Sequence, residues 1–553
     1  MGHHHSLVSG GRILRYWQRR AAWSVILWAL LVLSADARAG ESDQPYPVGE
    51  TSSTMGGAAV AVTHDGTAPW YNPAGLGRVT EEGISATLNV YGVQIERTKG
   101  WVDGLDLSGW TSAIFPGSVG YVRPLGVFGN GIHHAVGLAL VVPDFARHEL
   151  ALDDTKWAGD DYHVRERLLE QTLWIVPGWG ACFGPRLCAG ASVQVGYWSS
   201  SGLYSDFEQW AADSTELAGA NSYVEQDEFW AVQAGMSVGA QYQASDKTWI
   251  GLSVRSPVIT LGGGGRILVM ETDMDNGYIR RAYDGNLNID QRLPLNLRLG
   301  GGLELPDWLL AADLSLSLPE STHESVRAHD GSTSLTAYNA SGVPIGAAIP
   351  IGVQQGRLTV VNLSLGAQYR LSAKTALQAG FFTDFSGQPT ALIDELHAHI
   401  NRYGMTVGIS RKGASSTTML GIIATIGIGK SYGWNDQDAP VIRDAQSEAI
   451  YFTLGGSTRF GEPPEKPTAT TAQPSGSAPA LPVVEGAAAV PATLGVPAAA
   501  AATPSAVVTP TTRPSSAAPA AARAVPAAKP SPPAKESRRQ DSKKSTDAEW
   551  ELH

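Results

Sequence analysis

The stretch Asn296–Leu305, NLRLGGGLEL, decides the fold. Leu297, Leu299, Leu303 and Leu305 share one parity, and Asn296, Arg298, Gly300, Gly302 and Glu304 share the other. Successive side chains of a strand point to opposite faces, so a period of two describes a sheet with one apolar and one polar face. The next run, LLAADLSLSL from Leu309, repeats it. Leu310, Ala312, Leu314, Leu316 and Leu318 alternate with Ala311, Asp313, Ser315 and Ser317. VNLSLGAQYRL from Val361 does so again, with Asn362, Ser364, Gly366, Gln368 and Arg370 on the polar face.

Each run is about ten residues long, the length a tilted strand needs to cross a bilayer. Tight turns (PDW, SAK, SDK) alternate with long polar connections, as in outer-membrane barrels. A soluble sandwich would alternate too. The many small residues on the polar face suit a lumen better. The same pattern predicts strands near 83–96, 117–124, 133–147, 169–183, 187–200, 227–244, 247–260, 292–305, 308–319, 358–371, 374–385, 401–411, 416–430 and 449–460. The expectation is an all-β, transmembrane antiparallel barrel of about fourteen strands spanning 81–460. An even count puts both barrel ends in the periplasm. The last strand, AIYFTLGGSTRF, finishes on Phe460.

Composition agrees. The chain has 553 residues, 17% of them charged, with 62 Gly and 16 Trp. Low charge with abundant Gly and aromatics suits a β-rich protein in apolar surroundings. A net charge of -12 argues against a nucleic-acid partner. Residues 1–39 read as a secretory signal. Arg12, Arg15, Arg19 and Arg20 precede the apolar run Ala21–Ala35, and ADARAG supplies small residues for cleavage near Ala39. After Ala35 no continuous apolar run reaches the length of a spanning helix. The localisation expected is therefore the outer membrane of a Gram-negative bacterium.

Between signal and first strand, residues 40–80 fit no wall element. GTAPWYNPAGLGRV (Gly66–Val79) holds two prolines, a Trp-Tyr pair and three glycines. Gly56, Gly57, Ala58, Ala59 and Ala61 are small enough for a crowded lumen. Pro73 fixes its own φ and pushes Asn72 out of the helical region, making a corner. Asn72 can then satisfy nearby backbone groups.

Met55–Val79, MGGAAVAVTHDGTAPWYNPAGLGRV, resembles the N-terminal hatch of the FadL/TodX family of outer-membrane hydrophobic-compound transporters. The matching motif is Asn72-Pro73-Ala74. AVGLALVVPDF, LWIVPGWGACF and GMSVGAQYQASDKTWIGLSVRSP resemble the family's third to seventh strands. The resemblance covers roughly Ser52 to Phe460. It implies a barrel plugged by a lumenal hatch, ligand capture by an extracellular loop, and sideways release beside a kinked strand. The implied ligands are long-chain fatty acids or other hydrophobic small molecules, passing between the lumen and outer-membrane lipid. The implied protein is a monomer, not an enzyme, and needs no cofactor.

Several residues become candidates in that frame. Pro143 lies inside the third predicted strand, where it cannot donate to the ladder. It marks either a lateral opening or a bulge near the rim. In GLYSDFEQWAADSTELAG, Leu203, Phe207 and Trp210 recur at helical spacing, which predicts an extracellular helix with an apolar, ligand-capturing face. A fatty-acid carboxylate needs a basic partner. Arg255, Arg298 and Arg370 fall on the lumen parity; balancing acids such as Glu304 and Asp313 is their other role. Cys182 and Cys188 flank a predicted periplasmic turn and suit a hairpin disulfide in an oxidising compartment. No metal site is expected there.

ATIGIGKS (Ala424–Ser431) matches a relaxed phosphate-loop pattern. It ends an alternating strand, whereas a phosphate loop opens a helix. From Gly461 the chain turns to Pro, Ala, Ser and Thr, and cannot bury a core. Residues 461–553 are expected to be a disordered periplasmic tail ending in KESRRQDSKK and DAEWELH. The alternative function is therefore a barrel scaffold or anchor, with the tail holding a periplasmic or cell-wall partner.

Overall fold

The computed structural model describes residues 46–460, except 103, 129–130, 158–159, 212–216, 275–276, 394–397 and 436–439. The expected signal segment 1–39 and tail 461–553 lie outside the described residues. The chain begins with short turns of helix: a 3-10 turn at Ser52–Thr54, α1 (Ala68–Tyr71) and a second 3-10 turn at Pro73–Arg78. After them every named element is a strand, except a 3-10 turn at Thr390–Leu392.

Six long strands open the wall. They are β1 (Glu82–Val102), β2 (Leu105–Phe128), β3 (Ile132–Trp157), β4 (Asp160–Phe183), β5 (Leu187–Ala211) and β6 (Leu217–Ser245). Then come β7 (Thr248–Arg255), the hairpin β8 (Ile259–Asp273) and β9 (Tyr278–Ile289), and the strands β10 (Asn296–Glu304) and β11 (Trp308–Ser317). An insertion follows, made of β12 (Glu320–Arg327), β13 (Ser334–Tyr338), β14 (Pro344–Pro350) and β15 (Val353–Arg357). The wall ends with β16 (Val360–Arg370), β17 (Thr375–Asp384), β18 (His399–Lys412), β19 (Ser416–Trp434) and β20 (Pro440–Phe460).

Antiparallel pairs run unbroken from β1 to β7, then β7–β10–β11–β16, then in order to β20. β20 returns to β1 along its length, from Glu82↔Phe460 to Thr98↔Ala445. The ring thus closes within one chain, on the fourteen segments whose alternation marks them in the sequence.

The parity is as the alternation requires. Leu299, Leu303, Leu310 and Leu314 are exposed on the outside, while Asp313 is buried within. Exposed Leu173, Ile175, Trp179, Leu187, Val193, Ile250, Leu252, Ile450 and Leu454 continue this apolar belt around the barrel. An apolar exterior of this extent belongs in lipid. Near the tight turns lie Phe183, Tyr242, Phe460 and the pair Trp308–Tyr369, with centroids 4.7 Å apart. They form an aromatic girdle.

The long polar loops foreseen on the opposite side are largely replaced by sheet. β1 to β6 run for 21 to 29 residues, about twice the length that crosses a bilayer. Their far halves rise beyond the belt. There Trp198 and Phe229 of the wall pack with Ile267, Val269, Leu287, Val326, Leu335 and Ile351, so the β8–β9 hairpin and the β12–β15 insertion share one apolar cluster with it.

The predicted capture helix is overturned. Leu203, Phe207 and Trp210 lie on β5, laddered to β4 and β6. Leu203 and Phe207 face outward, and buried Tyr204 faces in. A four-residue interval fits both a helical face and one side of a strand, and the ladders on both sides select the strand. Residues 212–216, which join β5 to β6, are outside the described residues.

Candidate functional site

The hatch fills the lumen at belt height, and its corner is Asn72-Pro73-Ala74. Asn72 is extended, at φ -155° and ψ 104°, as a residue before proline prefers. Pro73 opens the following 3-10 turn, where a missing N–H costs nothing. Asn72 is fully buried. Its Oδ1 accepts from Ala74 N at 3.1 Å, and its Nδ2 donates to Val60 O at 2.8 Å and to Ala240 O of β6 at 3.1 Å. One side-chain amide therefore holds the corner, a second hatch segment and the wall together. The wall gives way to it: a Cβ on Gly190 would lie 2.4 Å from the Pro73 carbonyl.

Other lumen-facing side chains grip hatch backbone. Asp313 Oδ2 accepts from Ala59 N at 2.6 Å and Val60 N at 2.8 Å. Gln241 Nε2 donates to the carbonyls of Val60 and Thr63 at 3.1 and 3.2 Å. Thr406 Oγ1 donates to Thr54 O at 2.8 Å and accepts from Gly56 N at 3.1 Å. Sequence reading missed these because a lone Asp, Gln or Thr on a lumen face carries no signal of its own.

Two of the three candidate arginines meet. Arg255 stacks on Trp70, 4.0 Å from the ring centroid, and donates to Trp70 O at 3.4 Å. Arg298 lies 5.9 Å from the Tyr71 ring and donates through Nε to Asn296 Oδ1 at 2.9 Å. With Asp313, Arg357 and Asp384 they line a cavity of about 110 Å³ against the hatch. Arg370 stands apart at the turn end, where Nη1 donates to Pro306 O at 3.2 Å. It borders a vestibule of about 820 Å³ below the hatch, together with Glu50, Arg78 and Glu304. Glu304 pairs with hatch residue Arg78 at 3.7 Å, and Asp313 binds hatch amides. Glu50, a hatch residue, is buried. Burial pushes its carboxyl up to about 7, against partial relief from Ser457.

Pro143 sits where the wall is interrupted. Among the described residues, the β2–β3 ladder runs from Phe128↔Ile132 to Ser118↔Val141 and resumes at Ser108↔Ala151. That register places Pro116 opposite Pro143, two residues without an N–H to share. On its other side, the β3–β4 ladder slips by one between Val141 and Asp144, a bulge at Val142–Pro143. Of the two alternatives for Pro143, the structure shows the bulge, next to a gap in the β2–β3 ladder. Behind the interruption Tyr46 donates to Val142 O at 3.3 Å. Tyr46, Val141, Trp70 and Trp174 belong to one buried cluster with Ala113 and Phe145 packed against it. The break backs onto apolar side chains.

Cys182 and Cys188 are disulfide-bonded, directly opposite each other on β4 and β5. A Cβ on Gly77 would lie 2.9 Å from Cys182 Sγ, so the bridged hairpin supports the last turn of the hatch. Leu203 and Phe207 line none of this lumen.

No family model matches the sequence, and no curated protein matches it. Solved structures do match the fold. A FadL homologue from Pseudomonas aeruginosa superposes with a TM-score of 0.50 and 14% identity, over 77% of this chain and 100% of that one. The toluene transporter TodX of P. putida does so with a TM-score of 0.50 and 15% identity, over 75% and 99%. The fold is that of these FadL-type barrels.

Proposed function

We propose that the chain is an outer-membrane channel for passive uptake of hydrophobic small molecules, long-chain fatty acids or monoaromatic compounds. The observation that carries this reading is the interrupted β2–β3 ladder backed by an apolar lumen cluster. A barrel for polar solutes gains nothing from a wall that opens onto lipid. For an apolar solute, sideways release avoids the aqueous periplasm. The likeness in fold to the toluene transporter TodX supports the same reading. Capture through the far mouth, rearrangement of the hatch and release beside Pro143 complete the route.

The cavity beside Arg255 and Arg298 would seat the carboxylate of a fatty acid. Uptake of labelled palmitate and of labelled toluene, in cells with and without the protein, tests the proposal. At least one label should enter faster when the protein is present. Equal uptake of both labels in both strains sinks the reading.

A further inference from the structure

The barrel wall has a second interruption, far along the ring from Pro143. β7 and β8 follow one rising path along β6, broken at Ser256–Val258, where Ser256 N donates to Met236 O at 2.8 Å. β9 and β10 form the descending path beside it. Their ladders are complete below, from Leu303↔Thr248 to Asn296↔Arg255, and resume above at Gly265↔Leu287, with a slip before Ile267↔Asp284. Between them, among the described residues, one isolated bridge remains, Val258↔Leu293. The Thr260 hydroxyl substitutes for the next rung, donating to Gln291 O at 2.6 Å and accepting from Gln291 N at 2.9 Å. Pro257, Pro294 and Pro319 flank the spot, and none can donate to a ladder.

A crevice of about 820 Å³ opens here on the wall, lined by Pro257, Ile259, Leu261, Leu293, Pro294 and Leu318 among others. Ile259 and Leu261 are 56% and 63% exposed. The charged pair Arg292–Asp290, also exposed, borders it. The mouth therefore sits at the edge of the lipid belt. Leu293 borders this crevice, the cavity beside Arg255, and a second inner cavity of about 50 Å³ lined by Trp174, Trp198 and Phe229. Leu293 thus borders the crevice and both lumen cavities, and Pro294 joins it between the crevice and the cavity beside Arg255.

We propose that this crevice is a second lateral portal, gated by Leu293, through which an uncharged apolar molecule passes between the bilayer and the lumen. The proposal rests on the uptake function proposed above. Passage needs rotation of an aliphatic side chain and loosening of the Val258–Leu293 bridge and the Thr260–Gln291 bonds, because the rest of the local ladder is absent among the described residues. The occupant is apolar because the residues at the junction, Val258, Leu293 and Pro294, are, whereas the charged Asp290, Arg292 and Glu320 also line the crevice. A carboxylate would have to leave Arg255 and cross the leucine unpaired.

The test uses the full-length protein in vesicles whose outer leaflet is lipopolysaccharide, which slows entry of apolar solutes, with labelled toluene as the permeant. Leu293→Trp, which fills the junction, should remove this portal's share of the flux, and Pro143→Val/Leu293→Trp should slow flux more than either change alone. Leu293→Ala, which widens it, should speed flux in a barrel that still shows heat-modifiable migration. A diazirine analogue of toluene dissolved in the bilayer should label peptides spanning 257–263 and 289–295. Unchanged flux in Leu293→Ala, or labelling confined to β2 and β3, overturns the second portal while leaving the channel intact. Wild-type flux no greater than in protein-free vesicles of the same composition overturns the uptake function, and the portal with it.

Discussion

A methyl group placed on Gly239 would stand 2.0 Å from Oδ1 of Asn72. Plug and wall are fitted to each other there with no room for the smallest side chain. Gly239→Ala should therefore displace the Asn72 corner. Asn72→Ala should loosen the hatch by about 1–3 kcal/mol, the penalty for stranding buried backbone groups. Limited proteolysis in micelles reads this out: cleavage within 46–80 should rise in both variants while the barrel stays intact. A hatch as resistant as wild type would show that the amide is dispensable.

Glu50 gives the hatch a pH dependence of definite sign. Its carboxyl titrates near 7 when the hatch is seated, above its ordinary value of 4.5. Seating therefore binds a proton more tightly than release does. The contribution is fully present below about pH 4.5 and is lost as pH rises through 7. Protection of hatch amides, taken relative to the intrinsic exchange rate at the same pH, should be greater at pH 5 than at pH 8. Glu50→Gln should flatten that difference; a pH response undiminished in the variant assigns it elsewhere.

Arg255 and Arg298 distinguish between ligand classes. Replacing both with Met keeps much of their packing volume and removes two charges. Palmitate uptake should drop about tenfold or more, since a charge-assisted hydrogen bond contributes roughly 1.5–3 kcal/mol. Toluene uptake should be nearly unchanged. Equal loss of both substrates would mean that the arginines act by holding Trp70 and Tyr71 in place.

Pro143→Val returns an N–H to β3 at the interrupted ladder. Uptake should slow while the barrel keeps its thermal transition. Full uptake in a folded Pro143→Val barrel excludes this interruption as the release route.

The Cys182–Cys188 bridge closes a short loop, so its removal should lower stability by about 2 kcal/mol at most. A urea titration of Cys182→Ser/Cys188→Ser in micelles measures it. A larger loss would mean that Gly77 and the hatch end depend on the bridge as well.

The wall was readable because every lipid-crossing segment must repeat the same two-residue alternation, and Asn296–Leu305 shows it without exception. The hatch corner was readable because Asn72-Pro73 dictates a backbone turn from local chemistry alone. What escaped depends on partners distant in sequence. The grip of Asp313, Gln241 and Thr406 on the hatch is visible only once the ring has closed. The 203–210 segment misled because its outward residues satisfy two periods at once. The far halves of β1 to β6 are too polar and too even in composition to announce themselves as sheet. At the second wall interruption, Pro257, Pro294 and Pro319 look in sequence like ordinary strand ends. Their convergence is a product of the ring.

The hatch's hydrogen bonds also order events in time. Gly56 N reaches Thr406 across 350 residues of chain, and Thr54 reaches Gln378 across 324. Ordering a loop of that length is repaid only when both ends are already held. The plug, although synthesised before any strand, gains its full set of partners only when β17 and β18 stand in the wall. Its complete seating therefore waits for nearly the whole wall, and the segment made first is among the last to be fully held.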